Sequence, residues 1–274
     1  MTDMSPDARE LYLDLMKRCL TNFIYGKYEE KSWEPPPFLK EPIARAAPSR
    51  ELRIVERAPF DPQLREEGRD WPPHAHSMIG LKRLNNLQFC IEDVLAREIP
   101  GDLIETGVWR GGATIFMRAV LKAYGVSERL VWVADSFAGL PAPNKNKYPH
   151  DAGDRLHSFK FLAVPLEEVR ANFEIYGLLD DGVCFLEGWF RDTLPSAPIK
   201  QLAVMRLDGD MYESTMDALT NLYPKLSVGG YVIVDDYGCI PACRQAIADF
   251  RQAHHITERI IEIDWSGVYW QRLR

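Results

Sequence analysis

Two apolar runs that each end in acid constrain this chain most. They are Leu202-Ala203-Val204-Met205-Arg206-Leu207-Asp208-Gly209-Asp210 and Gly230-Tyr231-Val232-Ile233-Val234-Asp235-Asp236. Runs of about six residues rich in Val and Ile read as buried strands of a parallel sheet. In open α/β sheets ligands bind beyond the carboxyl ends of the strands, so Asp208, Asp210, Asp235 and Asp236 are expected together at that edge. Carboxylates crowded there repel unless a hard cation neutralises them, and an oxygen-only set suits Mg²⁺, Ca²⁺ or Mn²⁺. A single Asp at such a position is accounted for by capping the next helix; four on two strands favour a metal site.

The rest of the second half alternates in the same way. Strands are expected at 102–106, 130–134, 183–187, 202–207 and 231–234, with a terminal antiparallel pair at 260–263 and 268–270. Helices are expected at 113–124, 166–176, 213–226 and 241–252, after one opened by Ser77 with Leu81, Leu84, Leu87, Ile91, Val94 and Leu95 inward. Strands alternating with helices imply a doubly wound parallel sheet. The residues before 77 read differently. Ser5-Pro6 looks like an N-cap and first turn, and Leu11, Tyr12, Leu15, Met16, Cys19, Leu20, Phe23 and Ile24 mark one face of a helix. Nine of the nineteen prolines then fall between Pro35 and Pro73, which excludes a long helix or a central strand. With Trp33, Phe38, Ile54, Val55, Phe60 and Trp71 as apolar anchors, this stretch is expected to fold over as a lid. The expected division is therefore 1–76 as N-terminal helix, lid and oligomerisation arm, and 77–274 as the Rossmann-like domain. Residues 140–154 read as a second loop at the acidic edge.

With 274 residues, 46% of them apolar, the chain can bury a sizeable core. A net charge of −7 without a Lys/Arg-rich run argues against nucleic acid and anionic membranes as partners. The five cysteines form no Cys-x-x-Cys pair and are expected to be reduced thiols of a cytoplasmic protein. Cys239 and Cys243, one helical turn apart, lack the further soft ligands that a metal would need. No cleavable leader and no apolar run of membrane-spanning length is apparent.

The second chemical signal is Glu105-Thr106-Gly107-Val108-Trp109-Arg110-Gly111-Gly112, a strand, a glycine-rich turn and a helix start. Glycines there would let backbone approach a ligand, and the helix N-terminus would offer free N–H groups to an anionic end such as a carboxylate. The pattern is neither a dinucleotide fingerprint nor a phosphate loop. The next strand ends in Asp135, placed to accept both hydroxyls of a ribose or simply to cap a helix. Loop and acid together point to a nucleoside cofactor.

These motifs, with Ala134-Asp-Ser-Phe-Ala-Gly-Leu-Pro141, Glu187-Gly-Trp-Phe190, Arg206-Leu-Asp-Gly-Asp-Met-Tyr-Glu-Ser-Thr215 and Val232-Ile-Val-Asp-Asp-Tyr237, resemble the TylF-type sugar O-methyltransferases. That group includes the macrocin, mycinamicin and aminocoumarin O-methyltransferases. The resemblance runs from about Met78 to Trp270, with His76-Ser77-Met78-Ile79-Gly80 extending it into the lid. It implies a class I methyltransferase fold with a mostly parallel seven-stranded sheet, S-adenosylmethionine and Mg²⁺ as cofactors, and a homo-oligomer. The implied acceptor is a small glycosylated natural product, methylated on a sugar hydroxyl. Carried onto this sequence, Met78, Glu105, Thr106, Gly107, Gly111, Asp135, Ser136, Trp189 and Asp208 would surround the cofactor. Asp208, Asp235 and Asp236 would hold the metal.

A sugar hydroxyl needs Lewis-acid activation or proton removal before it attacks a sulfonium methyl. Asp210, two residues past Asp208, is the expected general base, with Asp208 as its competitor. His74 and His76 are expected to be ordinary surface histidines. A catechol-type O-methyltransferase and a non-catalytic nucleoside-binding protein are the other readings. The wording of the motifs argues against the first and the acidic quartet against the second.

Overall fold

Alternation of apolar residues along the central strands gives a sheet with two buried faces, and each face is covered by its own set of helices. The computed structural model describes residues 6–25, 28–32, 36–46 and 55–274; Ser5, Trp33, Pro35 and Ile54, invoked above, lie outside them. In chain order the elements are α1 (Pro6–Leu20), β1 (Tyr28–Ser32), α2 (Pro37–Ala46), β2 (Val55–Pro59), α3 (Pro62–Glu66) and α4 (Gly80–Ala96). They continue with β3 (Asp102–Thr106), α5 (Gly112–Ala123), β4 (Val131–Asp135), α6 (Leu166–Ile175), β5 (Val183–Glu187) and α7 (Phe190–Thr193). The last are β6 (Leu202–Leu207), α8 (Tyr212–Leu222), β7 (Leu226–Val234), α9 (Pro241–Ala253), β8 (Ile261–Glu262) and β9 (Val268–Gln271).

The main sheet has the order β5-β4-β3-β6-β7-β9-β8, parallel except for β9, which runs antiparallel to both its neighbours. This is the Rossmann-like methyltransferase architecture expected. The order reverses between β3 and β6, so the carboxyl ends of these two strands flank the crevice where such folds bind ligands. Leu103, Val133 and Val204 point to one face, where α1, α4, α5 and α6 pack. Ile104, Trp132 and Met205 point to the other, with Leu219, Ile247 and Phe250 of α8 and α9. The expected elements are present, most with small shifts at their ends, but β7 starts five residues before the expected 231, at Leu226. The helix expected at 213–226 stops at Leu222 and tightens into a 3₁₀ turn over Tyr223–Lys225, where Pro224 cannot continue the hydrogen-bond ladder.

The front of the chain departs more. The first helix ends at Leu20, not Ile24, and Thr21 turns its hydroxyl onto the Lys17 carbonyl (2.8 Å). Leu13, Met16 and Leu20 are buried against the core, whereas Leu11 and Leu15, expected on the helix's apolar face, are 72% and 52% exposed. The proline-rich stretch holds two short helices and β2, which pairs antiparallel with β1 just before the stretch, and prolines open α2 and α3. Asp61 caps α3 by accepting from the backbone N–H groups of Gln63 and Leu64. Arg65, fully buried, donates to the Thr21 carbonyl (2.6 Å) and to Asp70 (2.7 Å), tying α3 to the end of α1. The Leu20 carbonyl accepts from both His76 N–H (2.9 Å) and Ser77 N–H (3.0 Å). The His76 carbonyl in turn accepts from Gly112 N–H at the head of α5 (2.9 Å).

Candidate active site

At the carboxyl edge of the sheet a cavity of about 370 Å³ opens between β3, β4, β6 and β7 on one side and Gly68, Trp71 and His76 on the other. Glu105, Gly107, Asp135, Ser136, Trp189, Asp208, Asp210, Asp235 and Asp236 all line it, as do Met78 and His76 from just before α4. Thr106 and Gly111, expected beside the cofactor, lie outside the lining. Thr106 is buried beneath it, and Gly111 faces the side chains of Val169 and Phe173.

The acids converge as β6 and β7 require. One carboxylate oxygen each from Asp208, Asp235 and Asp236 lies within 4.8 Å of the others, the spacing of an oxygen cage for a hard cation. Two arginines that the sequence reading did not assign neutralise part of this charge. Arg206, fully buried in β6, stands in register with Glu105 on β3 and pairs with Glu105, Asp208 (2.7 Å) and Asp235. Arg83 of α4 pairs with Asp235 and with Asp264 (3.0 Å). A charged residue inside an otherwise apolar strand run demands a buried counter-charge. The pairing of Arg206 with Glu105 was therefore foreshadowed by Leu202–Leu207 and Asp102–Thr106 each carrying one charged residue in its interior.

The excess of negative charge persists. Burial, with Asp208 and Asp235 adding to it, lifts Glu105 to about 8 despite Arg206. Burial and then Asp235 lift Asp208 to about 6, and burial with Asp208 and Asp235 lifts Asp210 to about 8. Asp236 is raised in the same way by burial and by Asp210. Asp210 adopts a left-handed backbone (φ 58°), and its N–H donates to Asp236 (3.1 Å), which folds the Asp208-Gly209-Asp210 turn back over β7. Left-handed geometry in a non-glycine residue is uncommon, and Asp and Asn adopt it most readily.

The glycine-rich turn is built for contact with protein as well as ligand. At Gly107 (φ 86°) a Cβ would stand 1.7 Å from the Asp208 carbonyl oxygen, and at Gly112 it would stand 2.4 Å from that of His76. Glycine at these two positions is thus set by the approach of neighbouring backbone, not by ligand approach alone. Asp135 is drawn into the same turn. Its carboxylate accepts from Val108 N–H (2.7 Å) and Phe137 N–H (2.8 Å) and lines the cavity with its remaining acceptor capacity. Burial raises Asp135 even though these N–H groups oppose the shift. Glu105 differs: its Oε2 is buried in the cavity wall and has no hydrogen-bond partner among the described residues.

Several further lining residues were not foreseen. Glu213 and Asp217 reach the cavity from α8, Glu213 lying 3.3 Å from Arg191 of α7. Asp151, in the loop expected at this edge, caps α8 by accepting from Tyr212 N–H (2.6 Å) and Glu213 N–H (3.0 Å). His76 hydrogen-bonds the Tyr176 hydroxyl through Nδ1 (2.8 Å), a packing role, and burial and Arg110 lower it. Cys243 is buried in α9 and Cys239 lies against Ser266; among the described residues neither joins a group that could hold a metal ion. Among the described residues no helix is long and apolar enough to cross a membrane.

Known proteins resemble the chain over nearly its whole length. The sequence model of the family described as macrocin-O-methyltransferase (TylF) matches residues 9–272. A Streptomyces olivaceus 8-demethyl-8-(2,3-dimethoxy-alpha-L-rhamnosyl)-tetracenomycin-C 4'-O-methyltransferase is 56% identical, over 98% of this chain and 95% of its own length. Mycinamicin III 3''-O-methyltransferase of Micromonospora griseorubida is 50% identical, over 98% of this chain and 99% of its own. Among solved structures, the O-methyltransferase NovP superposes with a TM-score of 0.85 at 50% identity, covering 97% of this chain and 100% of that one.

Proposed function

Because the chain belongs to the macrocin-O-methyltransferase (TylF) family, we propose that it methylates a sugar hydroxyl of a small glycosylated natural product in a Mg²⁺-dependent reaction. It is an S-adenosylmethionine-dependent O-methyltransferase. The observation that carries the finer reading is the meeting of Asp208, Asp235 and Asp236 within 4.8 Å in the cavity that Glu105 and Asp135 also line. Those three carboxylates would hold the metal, and the donor set, all oxygen, fits Mg²⁺. When bound, the ion supplies Lewis-acid stabilisation of a developing alkoxide. S-adenosylmethionine supplies an electrophilic methyl group.

The chain's own residues supply the rest. Oε2 of Glu105, without a hydrogen-bond partner among the described residues, would accept from the cofactor's ammonium group. Asp135, anchored by Val108 N–H and Phe137 N–H, is placed to accept from ribose hydroxyls, with Ser136 beside it and Trp189 as an apolar wall. Met78 closes the cavity from the lid side. Asp210 accepts the proton of the attacking hydroxyl. Residues before 77 serve as lid and arm to the catalytic portion, residues 77–274. We also assign self-association to the exposed side of α1 and place the enzyme in the cytoplasm. Incubation of the protein with S-adenosylmethionine, Mg²⁺ and a rhamnosylated acceptor should give a product heavier by one methylene. EDTA should abolish this turnover and Mg²⁺ restore it; full activity in excess chelator removes the metal from the mechanism.

A further inference from the structure

The cavity has an apolar mouth that the reaction at the acids does not use. Trp71, 59% exposed, meets Phe161 at 4.8 Å between ring centroids and Phe159 at 6.1 Å. Phe159 and Phe161 lie nearly parallel, 24° apart at 5.7 Å, and are 40% and 41% exposed. Trp71 itself lines the cavity, as does Leu162 next to Phe161, so the cluster continues the cavity outward. It is also held in place. Trp109 of the glycine-rich turn donates its indole N–H to the Phe161 carbonyl (2.9 Å), and Arg110 donates to the carbonyls of Pro73 (2.9 Å) and Ala75 (2.8 Å) just past Trp71. Trp265, the other exposed indole of the lining, is covered by the guanidinium groups of Arg69 and Arg83 at 5.1 and 5.7 Å from its ring, which leaves it less face to offer.

Exposed aromatic faces next to a polar cavity need a partner that carries both characters. Resting on the sugar O-methyltransferase reading, we propose that Trp71, Phe159 and Phe161 form the subsite for the aglycone, and that it takes a flat aromatic scaffold. With the reacting sugar hydroxyl held at Asp208 and Asp210, the remainder of the acceptor must leave through the mouth. The offset-stacked phenyl pair and the tilted indole offer an outer ring face and ring edges to fused planar rings, whereas a puckered macrolactone touches them only at isolated points.

The test is calorimetric binding of 4-methylumbelliferyl α-L-rhamnoside and of methyl α-L-rhamnoside to protein loaded with S-adenosylhomocysteine and Mg²⁺. The wild type should favour the aryl glycoside by about tenfold or more, the scale of one or two aromatic contacts. Trp71→Ala and Phe159→Ala should bring the ratio of the two affinities toward one, and Trp71→Phe should keep most of it. Both side chains are exposed, so thermal melts of the variants should match the wild type. A wild-type ratio near one overturns the subsite while leaving the function intact, as does a preference that survives both alanine variants. A change of oligomeric state in Trp71→Ala on gel filtration also overturns it, since the cluster is then a subunit contact. If the cofactor product binds but neither glycoside does, the sugar reading fails and the subsite with it.

Discussion

Asp210 concentrates the chemistry at the residue scale. Its left-handed backbone holds its carboxyl over the cavity beside Asp208, and burial with Asp208 and Asp235 pushes it up to about 8. Positive charge delivered to the cluster would lower that value, so binding of the cofactors and readiness of the base are coupled. Asp210→Asn keeps the size and tolerates the same backbone conformation but cannot accept the proton. It should lower kcat by roughly 10²–10⁴-fold while calorimetry shows nearly unchanged affinity for S-adenosylhomocysteine. A near-normal kcat would pass the role of base to Asp208. Arg206 acts on the same acids from beneath. With three carboxylates on one buried guanidinium, it keeps Glu105, Asp208 and Asp235 together where repulsion alone would separate them.

Among the elements, α1 has two unlike sides. Leu13, Met16 and Leu20 hold it to the core, and Leu11 and Leu15 remain 72% and 52% exposed. A second copy of the chain covering that side would account for exposed leucines on an otherwise well-packed helix. The double variant Leu11→Glu/Leu15→Glu should then elute as a monomer where the wild type elutes as a dimer or larger, with little change in melting temperature. A monomeric wild type would remove the assignment. This helix also marks where sequence is least telling. Apolar residues recur so often between Leu11 and Ile24 that the stripe spans more than one face, and only contact with α5 decides which face turns inward. The strand ends were legible because a long apolar run that stops at acid has few other readings: Asp208, Asp235 and Asp236 lie together as β6 and β7 imply. Arg83 was not legible, since an arginine on a helix is ordinarily solvated and only the fold brings it to Asp235 and Asp264. Nor could the roles of Gly107 and Gly112 be separated from ligand approach until the carbonyls of Asp208 and His76 were in view.

For the molecule as a whole, the acidic edge makes stability depend on pH. Glu105 and Asp210 stand at about 8 and Asp208 at about 6, against about 4 for unfolded Asp and Glu. Between those values the folded protein binds more protons than the unfolded chain, so stability falls as pH rises. In EDTA, melting temperature should decline from pH 6 to 8.5, and Mg²⁺ should reduce that decline by compensating the ionised carboxylates. A melting temperature that rises over the same range without metal would mean that the cluster is not under electrostatic load.

The Leu20 carbonyl, shared by the N–H groups of His76 and Ser77, bears on how such enzymes can be recombined. Through His76 and Gly112 it links the end of the first helix to the head of α5. A chimera joined at residue 77 would take the Ser77 and Gly112 N–H donors from one parent and their acceptors, the carbonyls of Leu20 and His76, from another, and would split Arg83 from the Gly68 carbonyl as well. A junction beyond α4, in the turn that leads into β3, would keep the Leu20 carbonyl with both its donors and Arg83 with the Gly68 carbonyl, while the His76–Gly112 hydrogen bond would still cross it.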